Sequence, residues 1–214
     1  MAGFLHSRIS ERVTAGTNFH VEHPSRLKLY NAAGGLEQVV GSSPPKHYVN
    51  LAHGIKTQED FLEIQNAFYV VVFTPHTGLL VKNWQDFVAT QSNSRGTIHG
   101  GSPTELQLQR AHTFGSVTLL RNIYKPRATP VPVVYRTRSA VTTAIASSVD
   151  TTTGIASISG HAGGDTYTRT GEFDLPMTFS DNQWRARLEG SKNNLWVVSE
   201  PIQMEELTTV ASIA

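Results

Sequence analysis

The chain has 214 residues, a formal net charge of +1, 16% charged residues and no cysteine. That length can bury one large core or two small ones, and the absence of thiols excludes disulfides, thiolate metal sites and iron–sulfur clusters. The basic residues are scattered, without the stripe used in duplex recognition, and no apolar run is long enough to span a bilayer.

The opening MAGFLHSRISERV has Arg8, Glu11 and Arg12 where a secretory leader needs an apolar run, so synthesis in a cytoplasm, with retention there or release by lysis, is expected. Weak alternation predicts a strand near residues 9–13. Arg26-Leu27-Lys28-Leu29-Tyr30 alternates charge and apolar side chains and reads as a strand with one wet face. Short strands follow at 36–40 and 46–51, separated by the Gly/Ser/Pro stretch at 41–45.

The stretch from 56 to 87 is the densest apolar segment, and the core is expected to form around it. Thr57 with Asp60 three residues on marks a helix start, and Phe61, Ile64, Gln65 and Phe68 then share a face, predicting a helix over 57–69. Tyr69-Val70-Val71-Val72-Phe73 is β-branched and aromatic and reads as a buried strand. Thr74-Pro75-His76-Thr77-Gly78 turns the chain, and Leu79-Leu80-Val81 resumes extended structure.

Beyond Phe87 the composition changes. Residues 91–96 and 99–103 are loop-like, and short strands are expected at 105–110, 116–123, 131–136 and 154–158. Residues 142–148 give no reading. Strict alternation returns at 172–179, with Phe173, Leu175, Met177 and Phe179 on one face. Pro176, lacking an N–H, then argues for an edge strand or bulge. The last strands are expected at 195–198 and 201–207. Only one helix is expected. The fold class is mainly β (α+β), with residues 1–90 and 171–214 in one sandwich and 91–170 forming an additional β module.

No constellation points to catalysis. His20 and His23 sit in a Pro-containing loop context, and no H-E-x-x-H occurs, so surface histidines are the better reading. Glu172 and Asp174 share a strand face and would suit glycoside hydrolysis, but the wet face of an amphipathic strand is preferred. Asp165 and His161 lack a G-x-S-x-G partner motif. Gly160-His161-Ala162-Gly163-Gly164 lacks the Lys-Ser/Thr ending of a phosphate loop and reads as a hairpin loop. Trp84, Trp184 and Trp196 are read as packing residues rather than sugar platforms.

Read in order, these segments resemble a tail-protein family of phages and gene transfer agents. The leading motif is Gly78-Leu79-Leu80-Val81-Lys82-Asn83-Trp84-Gln85-Asp86-Phe87. Thr104-Glu105-Leu106-Gln107-Leu108, Arg121-Asn122-Ile123-Tyr124-Lys125-Pro126 and Val149-Asp150-Thr151-Thr152-Thr153-Gly154 follow the family's order. So do the alternating strand that contains Phe173 and Pro176 and the ending Glu200-Pro201-Ile202-Gln203-Met204-Glu205-Glu206-Leu207. The resemblance spans about residues 9–207, and the order of these short motifs carries it. The chain departs from the family at Pro44-Pro45, where an aromatic and basic cluster is usual, and at Gly78-Leu79-Leu80-Val81, where the family has Gly-Phe-Arg before the Lys.

The resemblance implies a distal tail protein. Such proteins form a hexameric ring that joins a long non-contractile tail tube to the hub and receptor-binding apparatus. The implied fold is a tail-tube-like β-sandwich with one flanking helix and a further β module. The implied location is the virion tail tip, after assembly in the host cytoplasm. Implied partners are other copies of the chain, the tail tube protein, the tail hub protein and receptor-binding or fibre proteins. No enzyme activity, cofactor, metal, membrane or specific nucleic-acid partner is expected. A carbohydrate-binding sandwich contacting host glycans is the alternative. Closing a ring needs two different complementary surfaces, and Arg26, Leu27, Lys28, Leu29, Tyr30, Pro201 and Ile202 are the candidates. Glu205 and Glu206 are candidates for an acidic lumen.

Overall fold

The computed structural model describes residues 3–22, 26–30, 36–40, 45–192 and 195–208, with side chains over 3–22, 45–189 and 197–208. His23 and the segments 31–35 and 41–44 lie outside the described residues, as does the Trp196 side chain. Helix α1 (Glu11–Thr14) precedes β1 (Asn18–Glu22), β2 (Arg26–Tyr30), β3 (Leu36–Val40) and β4 (Lys46–Asn50). A 3-10 turn at Leu51–Gly54 leads to α2 (Gln58–Phe73) and then β5 (Leu79–Val81), β6 (Val88–Ala89) and β7 (Ser94–Ile98). Next come β8 (Glu105–Phe114), β9 (Val117–Asn122), β10 (Lys125–Pro126), β11 (Val133–Arg138), β12 (Val141–Ile145), β13 (Ser147–Val149) and β14 (Ile155–Ile158). The long strand β15 (Thr166–Phe179), then β16 (Leu188–Lys192), β17 (Leu195–Val198) and β18 (Gln203–Glu206) complete a mainly-β fold.

Helix α2 starts where its local chemistry requires. The Thr57 hydroxyl accepts from Asp60 N at 3.1 Å, and Asp60 Oδ2 accepts from Thr57 N at 3.0 Å, a reciprocal capping box. Burial alone would raise the Asp60 carboxyl, but bonds from Lys56 and Thr57 and the charge of Arg12 hold it below the usual range. Phe61, Ile64, Phe68 and Val71 form the buried face. Phe68 meets Phe179 of β15 edge-on, with ring centroids 5.2 Å apart.

The helix does not stop at Tyr69. Residues 69–73, assigned to a strand by their propensity, complete α2. A helix already nucleated gains one backbone bond per added residue, and burial of Val71 and the Phe68–Phe73 contact at 6.0 Å add packing. Tertiary packing outweighs the modest penalty of β-branched residues. The stop comes at Thr74, held extended (φ −119°) before Pro75. Near the N-terminus, α1 occupies the segment expected to be a strand at 9–13.

Strand β15 joins two packed clusters. Its start pairs with β11 (Val133↔Thr170 to Thr137↔Thr166), and its end pairs with β5 (Leu175↔Val81) and β18 (Phe179↔Met204). The larger cluster includes Val13, Leu51, Ile64, Leu79, Phe173 and Met204, and the smaller one Leu106, Leu108, Val134, Ala156, Ile158 and Tyr167. Around the smaller cluster the strands run β12–β11–β15–β7–β8–β14–β13. Strand β12 hangs on β11, β13 hangs on β14, and Ala146 alone separates β12 from β13. Residues 142–148, without a reading from sequence, fall across β12, Ala146 and β13. Likewise β7, at 94–98, is a paired strand where a loop was expected. Gly171 (φ +132°) lies where β15 passes between the clusters, and a Cβ there would meet Pro132 Cα at 3.2 Å.

Pro176 is not on an edge strand. It is buried, registers with Leu80 of β5, and its carbonyl accepts from Leu207 N at 2.8 Å. Strand β18 ends one step earlier, at Glu206↔Met177, so the missing N–H of Pro176 forfeits a bond only at the end of that ladder. The final strand is shorter than expected, running Gln203–Glu206.

Candidate functional site

The motif residues Lys82, Trp84, Asp86, Phe87 and Phe173 converge on one corner beside β15. Lys82 is buried (5% exposed), and its Nζ donates to Glu11 Oε2 at 3.0 Å and lies 4.0 Å from Glu172 Oε2. Arg127 Nη1 donates to Glu11 Oε1 at 3.0 Å and to Glu172 Oε2 at 2.7 Å. Two cations and two anions therefore alternate around a closed square, whose charge sums to zero. The Lys82 bond, helped by Arg127, holds the Glu11 carboxyl below the usual range. Lys82 Nζ also lies 3.9 Å from the centroid of the Trp84 ring and 4.3 Å from that of Phe87. Trp84 Nε1 donates to Thr14 Oγ1 at 3.1 Å, which ties the corner to α1.

Neighbouring charges extend this seam. Arg8 pairs with Asp174 of β15, whose carboxyl is raised by burial against the opposing pull of Arg8. The expectation that Asp174 lies on a wet face is overturned: it is 3% exposed, because the Arg8 side chain covers it and compensates its charge. Asp86 Oδ1 accepts from Arg110 Nε at 2.6 Å, which fastens the corner to β8. Phe87 O accepts from Phe173 N at 2.9 Å. Lys125, 2% exposed, donates to Thr152 O at 2.9 Å and stands 4.2 Å from the Phe4 ring centroid, and burial pushes its amine down to about 8.

A second buried cluster joins β4, β9 and β18. His47 Nδ1 lies 2.6 Å from Glu206 Oε2, and Arg121 Nη1 donates to Glu206 Oε1 at 2.7 Å. Glu206 is therefore interior (3% exposed) rather than on a lumen surface, because Arg121 and His47 await it there. Burial would raise its carboxyl, but His47 and Arg121 hold it low. Glu205 faces Lys46 at 3.7 Å.

The other candidates divide. Arg26, Leu27, Lys28, Leu29 and Tyr30 form β2, whose only partner among the described strands is β3. Pro201 is exposed, but Ile202 is 5% exposed and belongs to the larger core, so it presents no interface surface. Its carbonyl accepts from Leu51 N at 2.9 Å, which pulls the side chain inward. Asp165 is engaged by Arg138 at 2.7 Å through both oxygens, and His161 lies 3.3 Å from the Tyr167 hydroxyl. Trp184 packs against Phe61 and Phe68 at 5.5 and 5.3 Å.

Sequence reasoning missed one surface. The tip of the β8–β9 hairpin exposes Phe114 (93%), Val117 (71%), Leu119 (51%) and Leu120 (40%). The signal was present: a two-residue Gly115-Ser116 turn between apolar-alternating runs is a hairpin mark. No family model matches the chain, and no curated protein matches it either.

Proposed function

We propose that this chain is a structural subunit of a distal tail ring, joining a phage-type tail tube to its hub and receptor-binding apparatus. One observation carries the reading. Five residues of the resembling motifs, Lys82, Trp84, Asp86, Phe87 and Phe173, come from two distant stretches and are spent in a seam that fastens α1, β8 and β15 together. Such residues build a stiff body. They leave no acid or cation facing an open position: Glu11 and Glu172 are both held by Arg127, and Asp174 by Arg8. The reading is accordingly non-enzymatic. A sugar platform has less support, since Lys82 sits over the Trp84 ring and Trp184 is wedged between two phenylalanines.

Negative-stain microscopy of the purified protein tests this. Six-fold rings are expected, with antibody labelling at the tail tip of the parent virion. A chain that stays monomeric at high concentration and is missing from the tail tip refutes the proposal.

A further inference from the structure

Residues 111–120 form a ribbon that extends past the sheet. Beyond Arg110, β8 pairs only with β9, from Ala111↔Leu120 to Phe114↔Val117, and every residue from 112 to 120 is exposed. A two-stranded ribbon is at best marginally stable in water by itself. Alternation places His112, Phe114, Val117 and Leu119 on one face and Thr113 and Thr118, 2.9 Å apart, on the other. The tip bears no carboxylate, ammonium or guanidinium.

A second uncharged apolar strip lies on the outer face of α2. Leu62 (44% exposed), Tyr69 (46%), Val70 (38%) and Phe73 (66%) fall at helical spacing around Asn66, and the Tyr69 and Phe73 rings stand 5.7 Å apart. Taking about 200 Å² for a whole aromatic side chain, each patch offers roughly 400 Å² of apolar surface. A stable interface buries about 800 Å² per partner, a little over half of it apolar. Each patch alone therefore approaches the apolar share of one standard interface.

We propose that the β8–β9 tip of one copy docks across the outer face of α2 of a second copy. The two surfaces differ, match in area and match in lack of charge, which is what a head-to-tail contact requires if it is to repeat and close. Phe114 is the anchor, an aromatic at the centre of the contact. This contact rests on the ring reading and names the surfaces that join its subunits.

The chain has no cysteine, so introduced thiols report without background. Ser116→Cys protein, altered at the exposed turn beside Phe114, is mixed with Asn66→Cys protein, altered at the exposed centre of the α2 strip, and treated with a short bismaleimide, while mass photometry counts subunits. Covalent dimers are expected in the mixture and not in either protein alone, and the double variant should give a ladder up to the size of the ring. The substitution pair Phe114→Asp and Val117→Asp should raise the concentration for half-assembly at least roughly tenfold, with far-UV circular dichroism unchanged. Rings without 116–66 bridging, bridging of Ser116→Cys with itself, or assembly indifferent to the aspartates would each overturn the docking and leave the ring reading standing. Monomers without bridging would overturn both.

Discussion

The seam beside β15 and the tip of the β8–β9 hairpin invert the usual partition of residues. In the seam, Lys82 and Asp174 are charged and buried; at the tip, Phe114 and Val117 are apolar and exposed. The difference lies in partners rather than residue type. Lys82 and Asp174 each meet an opposite charge within hydrogen-bond reach, which offsets the cost of leaving water. The tip residues project past the part of β8 that pairs with β7, and nothing among the described residues covers them.

Breaking the seam should therefore cost far more than trimming the tip. Arg8→Ala strands the Asp174 carboxylate in the interior, and a loss of about 3 kcal/mol is expected in urea unfolding. The loss should shrink at low pH, because burial has raised the Asp174 carboxyl and protonation then removes the stranded charge. A loss that stayed constant with pH would assign the effect to packing of the arginine stem.

A smaller effect is expected at the start of α2. Asp60→Asn should cost about 1 kcal/mol at neutral pH through the weakened cap. The sign follows from a lowered carboxyl: its stabilisation is complete above the unfolded value near 4 and is lost as pH falls through the folded value. Wild type and variant should thus converge in acid, below pH of about 4. Parallel pH curves would remove Asp60 ionisation from the account.

The smallest effect belongs to the tip. Phe114→Ser should change the urea midpoint of dilute, unassembled protein by the equivalent of less than about 0.5 kcal/mol, since a side chain 93% exposed loses almost no packing. A loss above 2 kcal/mol would mean that Phe114 is covered within the monomer and would erase the contrast with Arg8.

What could be read in advance follows from the range of the interactions. The Thr57–Asp60 cap acts across three residues, so the start of α2 was legible. Its end was not, because Val71 is held by packing against distant parts of the chain rather than by its own propensity. The 172–179 alternation announced a strand with Phe173, Leu175, Met177 and Phe179 inward. It did not reveal that Asp174 on the opposite side is also buried, since its cover, Arg8, is 166 residues away. Glu206 and Ile202 were misplaced for the same reason: His47, Arg121 and Leu51 draw them inward.

From the sequence by itself came the mainly-β class, the absence of thiol chemistry, the helix start and the central alternating strand, all matters of composition or of contacts a few residues apart. Tertiary structure alone decided the length of α2, the pairing of β12 with β11 and of β13 with β14, the partners of Lys82, Asp174 and Glu206, and the exposure of the β8–β9 tip. Those outcomes depend on which distant segments meet, and burial energies of several kcal/mol override local preferences of less than about 1 kcal/mol per residue.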